Sequence, residues 1–370
     1  MKAMILVTHL LGTGHLSRAL TLGRAFAAQG HDVGVVSGGV PAPHLSSDGL
    51  RLLQLEPVKS DGVDFSRLLD ASGQVAGQDA LDARRADLLS LYDDIGPDIL
   101  ITELFPFGRR ILRDEFTTLL ERARGKAMIL SSIRDIVHPP SGPSKVAYAK
   151  SAIDAFYDGV LVHSDPKLLP LRLSWPDTEG IADKLFYTGF VAPDPAEPSD
   201  VTRAEVIVSA GGGAVGGGLF KAAIEAAARS DRTWRLLVGR GHEALLDCHR
   251  APNLIIEPAR PDFRNLLTGA AASVSLCGYN TAMDVLQAGV PAVFVPFDDG
   301  NEVEQTIRAK GLSQRVGIEI LAGEALSGTT LREKVESVIA GPRPEPFTSG
   351  FGGAARTVEI ATRLWRAKKA

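Results

Sequence analysis

The stretch from Leu276 to Gln305 constrains the fold of this chain more than any other part of it. Ser273 to Leu276 has the composition of the end of an apolar strand, and Gly278 permits a tight turn after it. A short helical pattern follows and stops at Gly289, and Ala292 to Val295 is a second apolar run of strand length. A strand, a helix and another strand joined by such short turns are typical of an α/β fold.

The helix in this stretch predicts a binding site for a nucleotide sugar. Asn280 or Thr281 can cap it, and its N-terminus offers free N–H groups and a positive dipole end that suit a phosphate. Asp284 can accept hydrogen bonds from the two hydroxyls of a ribose. Glu304 and Gln305 begin the next helix and can reach sugar hydroxyls. The same residues also fit an ordinary strand–helix–strand unit with a glycine turn.

Composition narrows the class of protein. The chain has 370 residues, which predicts two domains. Its net charge of −4 gives no electrostatic footprint for nucleic acid. No apolar run approaches the roughly 20 residues of a membrane-spanning helix, and the first residues read as a strand rather than a secretory signal. Two cysteines predict no disulfide framework, so a cytoplasmic location is expected.

The strand–loop–helix pattern occurs twice, on either side of a proline-rich segment. Residues 193–203 contain Pro193, Pro195 and Pro198 among acidic residues, and we interpret them as a linker. The second half opens with a strand and the glycine-rich run 211–218, in which Gly211, Gly212 and Gly213 let backbone N–H groups approach an anion. A flexible hinge is the alternative for that run. Arg240, after the next strand, can pair with a diphosphate.

Gly278, Asp284, Ala288-Gly289-Val290-Pro291, Pro296 and Glu304-Gln305 resemble the donor-site signature of GT-B glycosyltransferases, nearest to family 28. The whole chain is similar to a group of predicted bacterial glycosyltransferases. The resemblance implies two Rossmann-like parallel-sheet domains facing a central cleft. Their implied bounds are 1–192 for the acceptor domain, 193–203 for the linker, 204–346 for the donor domain, and 347–370 for a C-terminal helix that crosses back to the first domain.

The resemblance also implies a role for the first loop. Gly12, Thr13, Gly14 and His15 match the GT-B loop whose glycines let substrates approach the backbone and whose histidine removes a proton from the acceptor hydroxyl. A histidine suits that work because it titrates near neutral pH. Capping of its own helix and phosphate binding are the alternatives for His15. A dinucleotide fingerprint is disfavoured because Ser17 occupies the position of the third glycine.

The break at Gly96-Pro97 is followed by a predicted buried strand that ends in Glu103. Similar enzymes have an aspartate at this position, which pairs with the catalytic histidine. A carboxylate there would orient the imidazole. A turn cap, or a salt bridge to Arg109 or Arg110, is the open alternative. Phe105 and Arg109 in the following loop, and Arg134 after the next strand, are expected on the acceptor side.

The implied activity is transfer of a hexose or N-acetylhexosamine from a UDP-sugar to a hydroxyl. No metal or other cofactor is expected, because the sequence contains no Asp-x-Asp. The expected partners are the nucleotide sugar and a hydroxyl acceptor that is lipid-linked or otherwise apolar, with a peripheral contact at the inner membrane face. A UDP-sugar epimerase of GT-B fold and a non-catalytic nucleotide- or glycolipid-binding subunit are the alternatives.

Overall fold

The structure is a computed structural model that describes residues 1–60, 67–197, 204–211, 215–239, 241–247, 251–298 and 302–370. They form two compact units. The first combines Met1–Pro193 with Gly350–Ala370, and the second is Asp194–Ser349. The chain therefore leaves the first unit and comes back to it for its last helix.

A parallel sheet with seven strands in the described residues runs through the first unit, in the order β3-β2-β1-β4-β5-β6-β7. Its central strands are mostly apolar and, apart from Lys2, buried, as expected for a sheet covered on both faces. The strands are β1 (Lys2–Val7), β2 (Asp32–Ser37), β3 (Arg51–Gln54), β4 (Ile99–Glu103), β5 (Met128–Arg134), β6 (Gly159–His163) and β7 (Leu185–Tyr187).

Helices cover the two faces of this sheet and bury a separate core on each. One face packs against α1 (Gly14–Ala28) and α10 (Gly353–Lys369), whose Leu20 and Val358 belong to the same apolar cluster. The other face packs against α2 (Gln78–Ile95), α3 (Arg113–Ala123) and α4 (Pro143–Phe156). The first unit is thus a three-layer α/β domain that includes the C-terminal helix.

The second unit repeats this plan with a sheet of six strands among its described residues, all parallel, in the order β10-β9-β8-β11-β12-β13. The strands are β8 (Val206–Ser209), β9 (Trp234–Val238), β10 (Leu254–Pro258), β11 (Ala272–Ser275), β12 (Ala292–Phe294) and β13 (Ile318–Ile320). The helices are α5 (Gly217–Ala227), α6 (Phe263–Gly269), α7 (Tyr279–Ala288), α8 (Glu304–Leu312) and α9 (Gly328–Ala340). Two Rossmann-like parallel-sheet units therefore make up the fold, as expected from the sequence.

Several local expectations need correction. Gly278 is the N-cap of α7, so Asn280 and Thr281 lie in its first turn and the prediction that either caps it is wrong. The segment after β3 contains antiparallel bridges of Leu69 with Lys59 and Val75. The segment after Pro193 packs within the second unit, because the carbonyl of Asp194 accepts a hydrogen bond from Arg264. None of the helices that the structure describes is both long and apolar enough to cross a membrane.

Parallel pairing brings the carboxyl ends of neighbouring strands to one edge of each sheet. In the first unit Glu103 at the end of β4 is the register partner of Ser132 in β5, and Arg134 is the partner of His163 in β6. The loop from β1 to α1 starts beside them, because β1 pairs with β4. Open α/β sheets bind ligands at this edge.

Candidate active site

His15 and Glu103 meet at the carboxyl edge of the first sheet. Nδ1 of His15 lies 2.9 Å from Oε1 of Glu103, a hydrogen bond between the start of α1 and the end of β4. The His15 side chain is 13% exposed and that of Glu103 is 2% exposed. The structure therefore brings together the two residues that the sequence analysis paired, with the carboxylate buried and the imidazole reaching the surface.

Arg18 is a third member of this group, which the sequence analysis did not assign to the site. Its guanidinium donates to the same Oε1 of Glu103, and its Nη2 lies 3.0 Å from Nδ1 of His15. The signal in the sequence was the spacing, because residues three apart on a helix lie on one face. The alternative pairing of Glu103 with Arg109 or Arg110 is wrong: Arg109 donates to the carbonyl of Thr8, and Arg110 to that of Phe107.

The surroundings of these groups fix their charges. Burial lowers the pKa of His15 to about 3; the bond to Glu103 opposes this effect, and Arg109, Arg134 and Arg18 reinforce it. Burial alone would raise the pKa of Glu103, but the adjacent Arg18 and His15 hold it well below its usual range. The site therefore contains a neutral imidazole against an ionised carboxylate.

The other acceptor-side residues divide into two groups. Phe105 has no exposed surface and stacks on Phe116 with ring centroids 4.5 Å apart, so the expectation that it contacts an acceptor is wrong. Arg109 has a left-handed backbone with φ of 59°, and burial lowers its pKa to about 10. Arg134 is partly exposed and donates through Nε to the carbonyl of Ile136. The two arginines lie near His15, whereas Phe105 belongs to the core.

The first loop leaves room beside His15. A side chain added at Gly12 or Gly14 would meet no atom within 4 Å. Thr13 precedes α1 without capping it through its side chain, and its hydroxyl lies 3.3 Å from Nε2 of His44. Helix capping by His15 is also wrong, because its ring turns to Glu103 instead.

The N-terminus of α7 is open in the second unit. Gly278 caps it without a side chain, and no partner for the backbone N–H groups of Asn280 and Thr281 occurs in the described part of the chain. Two side chains from α8 brace the turn before it. Oε1 of Gln305 accepts from the N–H groups of Cys277 and Phe297, and Arg308 donates to the carbonyl of Cys277. The open helix end is thus held in place by residues of the next helix.

These contacts modify the expectations for α8. Gln305 uses its carbonyl oxygen on the backbone, which leaves its amide NH₂ as the group that can meet a ligand. Glu304 is only 8% exposed, so its carboxylate is not presented as an open acceptor for sugar hydroxyls. The sequence pattern identified the position of this pair but not the direction of its side chains.

Asp284 is paired with a cation. Its Oδ1 lies 2.9 Å from Nε of Arg264, and the same guanidinium donates to Oε1 of Gln287. Burial raises the pKa of Asp284 to about 6, although Arg264 opposes the shift. The expected ribose-binding carboxylate is therefore partly committed to Arg264, a partner that the sequence analysis did not anticipate.

Gly211 is the one member of the predicted glycine triplet that the structure describes. It has φ of +75°, a conformation that favours glycine, and its N–H donates to Oγ of Ser209. Gly216 ends the loop and is the N-cap of α5 with φ of +109°, where a side chain would collide with Ala210. Gly212, Gly213 and Arg240 lie outside the described residues.

Residues 225–350, most of the second unit, match the model of the glycosyltransferase family 28 C-terminal domain. This part of the chain is therefore similar to the C-terminal domain of family 28 glycosyltransferases. The match includes the open end of α7, Asp284 and the Glu304-Gln305 pair. No curated protein matches the sequence.

Solved glycosyltransferase structures share the fold along the whole chain. The calicheamicin glycosyltransferase CalG4 is 18% identical, with a TM-score of 0.63 over 98% of this chain and 93% of that one. The spinosyn rhamnosyltransferase SpnG complexed with thymidine diphosphate is 14% identical, with a TM-score of 0.61 over 98% and 96%. UGT2 of Phytolacca americana, complexed with UDP-2fluoro-glucose and pterostilbene, is 13% identical, with a TM-score of 0.63 over 99% and 100%. The chain thus has the GT-B fold.

Proposed function

We propose that this glycosyltransferase moves a hexose or N-acetylhexosamine from a UDP-sugar to an acceptor hydroxyl, without a metal, and that His15 is the general base. The observation that carries the proposal is the 2.9 Å hydrogen bond between Nδ1 of His15 and the ionised Glu103. It places a neutral imidazole, oriented by a carboxylate, at the sheet edge where ligands bind.

The proposal gives the two ring nitrogens of His15 different roles. Nδ1 carries the proton that is donated to Glu103, so Nε2 holds the lone pair that accepts the proton of the attacking hydroxyl. Glu103 keeps the ring in this tautomer and stabilises the imidazolium that forms, while remaining ionised itself. The acceptor oxygen forms its bond to the anomeric carbon as the bond from that carbon to the diphosphate breaks.

The donor's diphosphate fits the open N-terminus of α7. Its N–H groups and the helix dipole stabilise negative charge as it develops on the leaving group. Two structures of similar fold contain a nucleoside diphosphate or its sugar, which supports this class of donor. Metal independence is supported by a sequence without Asp-x-Asp and by these backbone donors, which can take over charge stabilisation from a cation.

A donor screen tests the proposal. Thermal unfolding of the full chain is followed with UDP-, dTDP- and GDP-sugars, each with and without EDTA. A ligand at 100 times its Kd stabilises the folded protein by about 2.7 kcal/mol, which raises the melting temperature. We expect UDP-sugars to give the largest shift, unaffected by EDTA. A larger shift with dTDP-sugars, or loss of the shift in EDTA, would contradict the donor or the metal-free part of the proposal.

Measuring the release of UDP distinguishes an enzyme from a protein that only binds the nucleotide sugar. With the best UDP-sugar and a panel of hydroxyl acceptors, the proposal predicts acceptor-dependent release of UDP. A protein that is stabilised by the UDP-sugar yet releases no UDP with any acceptor, while a UDP-releasing glycosyltransferase run in parallel does, would favour the non-catalytic alternative.

A further inference from the structure

Glu103 is one end of a buried series of hydrogen bonds that runs from β4 across β5 and β6 to the residue after β7. Its Oε2 accepts from Oγ of Ser132 at 2.5 Å. The same Oγ lies 2.9 Å from Nε2 of His163, and Nδ1 of His163 lies 2.9 Å from Oγ1 of Thr188. Ser132 and His163 have no exposed surface, and Thr188 is 5% exposed. We call Ser132, His163 and Thr188 the relay.

The ionised Glu103 determines which way Ser132 and His163 donate. Ser132 has a single hydroxyl hydrogen and gives it to the ionised Glu103, so the bond between Ser132 and His163 must be donated by Nε2–H of His163. Burial lowers the pKa of His163 to about 3, so its ring is neutral and Nδ1 holds a lone pair. The hydroxyl of Thr188 lies 2.9 Å from that nitrogen and 2.8 Å from the carbonyl of Gly189, to which it can also donate. The donors of Ser132 and His163 thus point towards Glu103.

A buried polar series of this kind is costly as a means of stability alone. Well-packed apolar side chains of similar volume give equal or greater stability, because polar groups lose their hydration on burial. A fully satisfied network does fix the orientation of its members. Here the member at the end is Glu103, whose other oxygen holds His15.

We propose that Ser132, His163 and Thr188 are positioning residues that set the orientation and basicity of Glu103, and through it the tautomer and proton affinity of His15. This inference rests on the proposed function for its catalytic meaning. The relay contacts Oε2 of Glu103, whereas His15 contacts the other oxygen, Oε1. The charged groups that act on His15 itself are Arg18 of α1, Glu103 of β4, Arg109 after β4 and Arg134 of β5.

The relay makes a spectroscopic prediction that needs no acceptor. The full chain contains eight histidines. After labelling it with ¹⁵N-histidine, we would record long-range ¹H–¹⁵N correlations of the imidazole rings. We expect His163 as the neutral Nε2–H tautomer and His15 as the neutral Nδ1–H tautomer from pH 8 to pH 5, with assignments from single His→Gln variants. A cationic His163 at pH 7, or its Nδ1–H tautomer, would overturn the relay.

A pair of adjacent serines supplies the matched test. Ser132→Ala removes the bond to Glu103, whereas Ser131→Ala removes an equally buried hydroxyl that donates to the carbonyl of Phe105 on the other face of β5. In Ser132→Ala we expect the ring of His163 to populate both neutral tautomers instead of one. The proton affinity of His15 should rise by up to about tenfold, because Glu103 loses a donor that stabilised its charge. Ser131→Ala should change neither signal.

These experiments test the relay independently of the proposed function. Equal spectra of His15 and His163 in Ser132→Ala and Ser131→Ala would overturn the relay, whatever the activity of the protein. Thr188→Val gives a second test, since it should disturb the tautomer of His163 without touching Glu103. The role of His15 as base is decided separately by turnover of its own variant.

Discussion

Arg264 donates through Nε to Oδ1 of Asp284 across 2.9 Å, and Nη2 of the same guanidinium donates to the carbonyl of Asp194. One side chain of α6 therefore holds both the carboxylate expected to bind ribose and the first residue of the second unit. Since burial raises the pKa of Asp284 to about 6, its charge depends on pH within the range of ordinary assays.

The first prediction follows from that pKa. We expect Asp284→Asn to weaken binding of UDP-glucose at pH 7 by about 1.5–3 kcal/mol, because a charged acceptor of the ribose hydroxyls is lost. Wild-type affinity should fall as the pH drops from 7 to 5 and Asp284 takes up a proton, while the variant's affinity stays constant. Calorimetry measures both. Asp231→Asn, an exposed aspartate before β9, is the control. Equal affinity of wild type and Asp284→Asn at pH 7 would exclude ribose binding by this carboxylate.

The second prediction concerns the proposed base. His15→Ala should lower kcat by ~10²–10⁴-fold, the usual contribution of general-base catalysis, and leave donor KM nearly unchanged. His31→Ala, which changes a partly exposed histidine just beyond the end of α1, should keep wild-type kinetics. Steady-state release of UDP measures both variants. If His15→Ala instead abolishes donor binding and spares kcat at saturating donor, His15 is a phosphate contact and the base is another group.

The third prediction concerns pH and turnover. Because the pKa of His15 is lowered to about 3, its neutral, proton-accepting form persists well below pH 6. With donor saturating and acceptor varied, we expect kcat/KM to be flat from pH 8 to pH 5. Arg109→Gln should move the acid limb upward, since removal of a nearby cation favours the imidazolium. An acid limb centred near 6.5 in the wild type, and unchanged in Arg109→Gln, would contradict this electrostatic account.

The fourth prediction compares two ion pairs that join the same helices. Arg84 of α2 and Glu115 of α3 form a buried pair, with side chains 1% and 5% exposed, whereas Asp93 and Arg122 of these helices pair at the surface. Arg84→Met should destabilise α2 and α3 by about 3–5 kcal/mol, because Glu115 is left buried and unpaired. Arg122→Met should cost only about 0.2–1 kcal/mol. Hydrogen exchange of peptides from the two helices measures both, and equal effects would contradict the prediction.

The sequence predicted the apolar strand β12 and the end of α7 at Gly289 to within one residue. It missed α3, whose mean hydropathy is low and whose charged residues hide its buried Phe116 and Leu119. The sequence also predicted that Phe105 contacts the acceptor, whereas it lies in the core. An aromatic residue next to arginines in the sequence suggests a ligand contact, and the sequence does not show that it packs on Phe116. Local pattern gives the type of element, but not which side chains point inward.

The same limit applies to the candidate site, where the sequence did not show which way the side chains point. The pairing of His15 with Glu103 was predicted from the resemblance to GT-B enzymes, and the structure shows the hydrogen bond between them. Arg264 and the relay could not be predicted, because each depends on a contact between residues far apart in the chain or on the rotamer of a long side chain. Parallel register fixes where a residue lies, whereas hydrogen-bond partners depend on the direction in which its side chain extends.

The return of α10 to the first unit has a consequence for the order in which the protein folds. Val358, Ile360 and Ala361 of α10 complete the core on one face of the first sheet, and α1 lies beside them. During synthesis this face stays only partly covered, by α1, until α10 leaves the ribosome, by which time all of Asp194–Ser349 has been made. Domains usually fold in the order of their synthesis, the N-terminal one first. In this chain the second unit has all its residues first, and the N-terminal unit is the last to close.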